Sequence, residues 1–174
     1  MLTIGHSIRS SEEFIDLLKA HGVQRLVDIR TVPRSRHNPQ FNQDALPGAL
    51  AGAGIAYAHL KELGGLRRPR PDSPNRAWRN DSFRGYADYM QTPEFEAALQ
   101  GLLEMASRER LALMCAEAVP WRCHRSLVAD ALLARGIPVE EILGPGQSRA
   151  HRLTPFARVE GARVTYPAQE LFES

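Results

Sequence analysis

Cysteine is nearly missing from this chain: its 174 residues include two, Cys115 and Cys123. That scarcity excludes a small secreted scaffold stapled by disulfides, and in a reducing compartment it leaves the two thiols for chemistry, a metal or the core. Long apolar runs are missing too. Nothing approaches the roughly 18 to 20 residues that cross a bilayer, and the opening Met1 to Ser7 lacks a charged stretch followed by an apolar one. No membrane partner is implied, and a cytoplasmic protein is expected. With 43% hydrophobic and 24% charged residues, the composition carries no signature of disorder and suffices for a core. There is neither an internal repeat nor an interdomain linker, so one domain is expected over residues 1–174, with a core at 1–143 and a tail at 144–174.

Lysine is the other scarce residue. Of 22 basic residues only Lys19 and Lys61 are lysines, which leaves 20 arginines behind a net charge of just +2. The arginines are not spread evenly. Between Gly22 and Asn42 there are four against one aspartate, and between Lys61 and Met90 seven basic residues face four acidic ones. Arginine presents a planar fork that grips phosphate or carboxylate bidentately, so loop arginines in clusters point to an anionic ligand.

The patterning alternates strands with helices. Leu2 to Ile4 is a short apolar run, followed by Ser10 as a helix N-cap with Glu13 as its capping-box partner and Gly22 as the stop. Leu26 to Ile29 and Ile55 to Ala58 read as strands around a short helix at Ala45 to Leu50. Thr92-Pro93-Glu94 opens a helix whose Phe95, Leu99, Leu102 and Ala106 keep helical spacing. Leu111 to Met114, a helix at Arg125 to Arg135, and Val139 to Leu143 complete the alternation, with an edge strand at Ala162 to Tyr166. Such alternation implies βαβ crossovers and a mainly parallel sheet: a three-layer α/β domain, Rossmann-like or rhodanese-like in layout. The segment Gly64 to Arg84 has little periodicity and is too long for an idle connection; it is expected to border the site as a lid.

In parallel sheets ligands bind beyond the carboxyl ends of the strands, and the unusual polar residues stand at four such ends. They are His6 and Ser7, Asp28 and Arg30, His59 and Glu62, and Cys115 and Glu117. The densest run is Cys115 to Arg125, which sets Cys123 and His124 at a helix N-terminus between Arg122 and Arg125. Free N–H groups and a dipole there favour an anion, or a Cys123 thiolate more reactive than the strand-end Cys115. The bland alternative is two small core cysteines and a histidine cap. Zinc held by Cys115, Cys123 and one of His6, His59 or His124 has ordinary ligands but a spacing that fits no standard site. The cofactor is therefore left open.

Seven runs then bring a family into view: Thr3-Ile4-Gly5-His6-Ser7; Asp28-Ile29-Arg30 with Pro33-Arg34-Ser35; Pro39-Gln40-Phe41-Asn42; Leu63-Gly64-Gly65; Phe83 to Met90; Met114-Cys115-Ala116-Glu117; and Cys123-His124-Arg125-Ser126. In these the chain resembles the bacterial and archaeal family called domain of unknown function 488. The resemblance implies the same α/β fold and makes these polar residues the family's signature; it implies no reaction, substrate or cofactor.

The function expected is an enzyme acting on a phosphate-bearing compound, a nucleotide or nucleic acid. Arg30, Arg34, Arg36, Arg122 and Arg125, with Ser7 and His59, are expected to bind it. Cys115 or Cys123 is the nucleophile, His124 or His6 the proton carrier, and Glu117 or Asp28 the orienting carboxylate. Two rivals stay open: a non-catalytic nucleic-acid-binding module using the arginine-rich loops, and a redox sensor in which the two cysteines join reversibly.

Overall fold

A computed structural model describes residues 1–169. Five parallel strands, β1 (Leu2–Gly5), β2 (Arg25–Asp28), β3 (Ala56–His59), β4 (Leu111–Cys115) and β5 (Glu140–Gly144), are joined by an antiparallel edge strand β6 (Gln147–Ala150). Their order is β3-β2-β4-β1-β5-β6.

Alternation along each strand sends side chains to two separate cores. Leu26 of β2 with Ala112 and Met114 of β4 packs under helices α1 (Ser11–Ala20) and α2 (Leu46–Gly52). Val27 with Leu111 and Leu113 packs on the other face, under α3 (Asp81–Tyr89), α4 (Pro93–Ala106) and α5 (Arg125–Ala134). Helices therefore cover both faces, the three-layer α/β arrangement that the near-continuous burial of β4 demands. The Ser10 hydroxyl accepts from the Glu13 amide at 3.1 Å, as the capping pattern requires. No described helix is long and apolar enough to cross a membrane.

β4 inserts between β2 and β1. The chain leaves β1 toward α1 on one face and β4 toward α5 on the other, which opens a crevice at the carboxyl ends of these adjacent strands.

Three elements depart from the sequence reading. The aperiodic segment stops at Asn80, whose side chain accepts from the Ser82 and Phe83 amides and so starts α3 inside the expected loop. The expected edge strand near residue 164 is β8 (Arg163–Thr165), which pairs with β7 (Arg158–Glu160) in a two-stranded sheet of its own. The main sheet's edge is instead β6, a fully exposed strand that has no buried face and so shows no apolar alternation to read. The described part of the tail is tied to the core through buried Asp130 of α5. It accepts from His151 Nε2 at 2.8 Å, Thr154 Oγ1 at 2.6 Å and the Tyr166 hydroxyl at 2.7 Å.

Candidate functional site

β1 and β4 remain paired past their strand ends: the His6 amide donates to the Cys115 carbonyl at 2.9 Å and the Ser7 amide to that of Ala116 at 3.0 Å. The chain then turns across β1. A Cβ on Gly5 would sit 1.7 Å from the Glu117 carbonyl oxygen, so only glycine lets the crossing happen. The crossing folds the eight residues after Cys115 back, through a 3-10 turn at Pro120–Arg122, and returns Cys123 beside Cys115.

Both thiols are free and buried, and they interact with each other. The Cys115 Sγ lies 3.5 Å from the Glu117 carbonyl, while the Arg125 amide donates to Cys123 Sγ at 3.5 Å. Burial opposes ionisation of Cys115, but the Cys123 thiol, the Arg125 guanidinium and the backbone at Glu117 outweigh it and bring the Cys115 thiol below its ordinary value. Cys123 moves the other way: the neighbouring Cys115 thiol and its own burial push its thiol well up. Of the two thiols, Cys115 is the one whose surroundings favour the thiolate. The two shifts run in the direction opposite to the order expected from the helix N-terminus.

Arg125 is the cation beside them. It is 1% exposed, and its Nη2 reaches the carbonyls of Glu117 and Ala118 at 3.3 and 3.4 Å and Glu141 Oε1 at 3.6 Å. Its Nε and Nη1 have no hydrogen-bond partner among the described residues. The buried Glu141 carboxylate answers part of its charge, and the two unpartnered nitrogens, costly to bury, leave a positive potential at the thiol pair.

His124 stands over the pair, its Nδ1 3.5 Å from Cys123 Sγ and its Nε2–H donating to the Ile29 carbonyl at 2.9 Å. Burial pushes its pKa down to about 4, so at neutral pH the ring is uncharged and Nδ1 offers a lone pair to the thiol. Gly65 packs flat on this ring; a Cβ there would come within 3.0 Å of Nδ1.

A second polar group lies behind the first. Asp28, fully buried, accepts from Arg30 Nε at 2.9 Å, Arg30 Nη2 at 2.7 Å and the Tyr57 hydroxyl at 2.6 Å. Arg30 Nη2 also donates to the Phe41 carbonyl at 2.7 Å. His6 stacks on Phe41 with ring centroids 4.3 Å apart, and its Nδ1–H donates to the Ser7 carbonyl at 2.8 Å. Burial lowers the His6 pKa, leaving Nε2 as a neutral acceptor facing Arg30 Nη1 at 3.4 Å. Asp28 and His6 thus hold Arg30 in place, with no free lone pair or proton directed at a ligand.

The resulting cleft encloses about 370 Å³. Of the expected residues it is lined by Arg30, Arg34, Cys115, Glu117, Arg122, Cys123 and His124, with Arg125 buried beneath. His6, Asp28, Ser7, Arg36 and His59 do not line it. The His59 Nε2 is bonded to the Arg30 carbonyl at 2.7 Å, and Ser7 is spent on a left-handed turn at φ 53°. The start of α5 is no open anion cradle either, because its first amides are bonded to Cys123 and His124. Nor are Cys115, Cys123 and a histidine a zinc set here: His6 and His59 face backbone carbonyls, and no three His, Cys, Asp or Glu side chains among the described residues converge as metal ligands.

The arginine-rich segment touches the cleft only at its ends, through Gly65, Leu66 and Asn80. Arg67, Arg68, Arg76 and Arg79 of this segment do not line it. Arg67 lies over the Tyr89 ring at 3.7 Å, and the segment is anchored rather than loose. Buried Asp88 accepts from the Arg70 amide at 2.8 Å, Ser73 Oγ at 2.6 Å and Asn75 Nδ2 at 2.7 Å. Residues that sequence reasoning missed include Thr31, whose hydroxyl donates to the Gly65 carbonyl at 2.8 Å, together with Leu66 and Phe83. The Leu63-Gly64-Gly65 run was the available signal, since adjacent glycines mark a close approach of backbone.

Compared with known proteins, the chain matches the model of the family described as domain of unknown function DUF488 over residues 10–132. No curated protein and no solved structure matches it.

Proposed function

We propose that this chain, which belongs to the DUF488 family, is a cysteine-dependent enzyme that acts on a small anionic compound, with a phosphate-bearing one as the first class to test. Cys115 is its nucleophile. The observation that carries this reading is Arg125: its burial with two unanswered nitrogen donors next to a thiol pair, its charge only partly met by Glu141, is an environment that favours a thiolate. His124 Nδ1, a neutral base 3.5 Å from Cys123 Sγ, takes or returns the proton that the pair shares. Arg34 and Arg122, both exposed on the cleft, receive the anion, and the exposed Glu117 faces the same space. His6 and Asp28 act through Arg30 as positioning residues.

The test joins binding to covalency. Phosphate, pyrophosphate, nucleotides and p-nitrophenyl phosphate are screened by thermal shift and by protection of Cys115 from iodoacetamide, and turnover of p-nitrophenyl phosphate is compared in Cys115→Ser. Protection by a phosphate-bearing compound, and turnover lost in the variant, are expected. No protection by any of them at millimolar concentration overturns the phosphate class.

The adjacency of the thiols favours one second reading, reversible closure of a Cys115–Cys123 disulfide. Diamide would then remove both thiols from one chain with a mass loss of two hydrogens, reversed by dithiothreitol, whereas crosslinked dimers would rule the closure out. The nucleic-acid-binding module draws less support, because Arg67 is committed to Tyr89 and Arg70 to Asp72.

A further inference from the structure

One wall of the cleft is apolar and unexplained by folding. Val32 is 61% exposed and Leu66 78% exposed, and both line the cleft with the half-buried Phe83. Exposed aliphatic side chains gathered at a concave site serve a ligand better than they serve water. Leu66 is the sharper case. Its φ of 61° lies in the left-handed region that a leucine rarely adopts, and with its side chain in solvent no core packing compensates.

The turn that presents Leu66 is fixed from both sides. Thr31 Oγ1 donates to the Gly65 carbonyl at 2.8 Å, a Cβ on Gly64 would meet the Thr31 Oγ1 at 2.4 Å, and Gly65 lies against the His124 ring. Leu66 is thereby held in register with the thiol pair that His124 covers. The cleft also carries Arg34 and Arg122, exposed guanidinium groups whose side chains make no hydrogen bond or ion pair among the described residues. An apolar wall and free cations share a cleft of about 370 Å³, the size of a small-molecule site.

We infer that the cleft selects an amphipathic anion, a flat aromatic or otherwise apolar body carrying a carboxylate, sulfonate or phosphate, and that Leu66 is the specificity-determining residue. The apolar body lies along Val32, Leu66 and Phe83, and the acid group meets Arg34 and Arg122. This inference rests on Cys115 as the reacting group, which lies at the base of the same cleft.

Three disulfide probes separate the contributions. 5,5′-Dithiobis(2-nitrobenzoate) is aromatic and anionic, 4,4′-dithiodipyridine aromatic and uncharged, and 3,3′-dithiodipropionate aliphatic and anionic. With each, the Cys115 thiolate attacks one reagent sulfur, the reagent S–S bond breaks, a mixed disulfide forms and the other half leaves as a thiolate. Rates at Cys115, assigned by peptide mass, are divided by those of N-acetylcysteine thiolate with the same reagent. The aromatic carboxylate should exceed both of the others at least tenfold. Leu66→Ala should reduce the normalised rate of the two aromatic probes about tenfold, and Arg122→Ala that of the two carboxylates. Leu66→Gly relieves the backbone, so it should keep or raise Tm while losing the aromatic preference, which separates recognition from folding. Equal normalised rates for the three probes, or a preference that survives Leu66→Gly, would overturn the inference. If Cys115 reacts rapidly yet without preference, this selection alone fails; if Cys115 is slow toward every probe and toward iodoacetamide, the nucleophile fails with it.

Discussion

The carbonyl oxygen of Glu117 stands 1.7 Å from where a Cβ on Gly5 would lie. The end of β1 and the loop that follows β4 therefore occupy the same space up to a single missing methyl group. Because that loop returns Cys123 to Cys115 and supplies carbonyls to Arg125, the thiol pair depends on a glycine of the neighbouring strand, the register partner of Cys115. Gly5→Ala should cost about 3 kcal/mol, in the range of strained backbone and core overpacking. The denaturant midpoint checks this. In whatever fraction still folds, Cys115 should lose its reactivity, since the loop must shift away.

The arginines divide into two groups with different consequences. Arg122 is exposed on the cleft, whereas Arg67 is stacked on Tyr89 and donates to the carbonyls of Gly64 and Glu62. Arg122→Ala should weaken binding of an anionic ligand about tenfold, a typical loss for one charge-assisted contact. Arg68→Ala should leave affinity within about twofold. Titration at two salt concentrations checks both, and a large loss in Arg68→Ala would return the segment to the role of a ligand flap.

Much of this arrangement was legible in the sequence, and the limit has a physical cause. Strand ends are local features, so Asp28, His59 and Cys115 could be placed at one edge, and the register puts Asp28 beside both His59 and Met114, the neighbour of Cys115. Direction is not local. Whether His6 faces a ligand or the core is decided by Phe41, which arrives from a distant 3-10 turn at Pro39–Phe41 and stacks on it. Arg125 is expected from the sequence to bind the anion directly; its burial, unusual for an arginine, follows from a loop whose path no periodicity records. The pairing of Cys115 with Cys123 likewise depends on that loop, and it is the source of their opposed shifts, which the helix end alone does not foretell.

His124 gives a pH dependence whose sign is set by burial. The unfolded chain takes up a proton on this ring near the ordinary 6.5, and the folded chain only near about 4. Between these values the unfolded state binds more protons, so stability should fall as pH drops from about 6.5 to about 4, by up to about 3 kcal/mol. His6, also lowered by burial, adds to the same trend. In His124→Asn the slope of unfolding free energy against pH should flatten over this window without vanishing. A slope equal to that of the unaltered protein would mean that His124 titrates in the fold as it does in the unfolded chain, so that burial does not lower its pKa.

The state of the two thiols is the most direct test of all: iodoacetamide alkylation of Cys115 and Cys123 in one sample, followed from pH 5 to 10 and resolved by peptide mass. Cys115 should be the faster at neutral pH, with its inflection clearly below the ordinary thiol value of about 8.5, and Cys123 should stay slow with its inflection above it. Faster labelling of Cys123 at neutral pH, or a Cys115 inflection at or above the ordinary value, would contradict a thiolate held on Cys115 by Arg125 and with it the nucleophile proposed here.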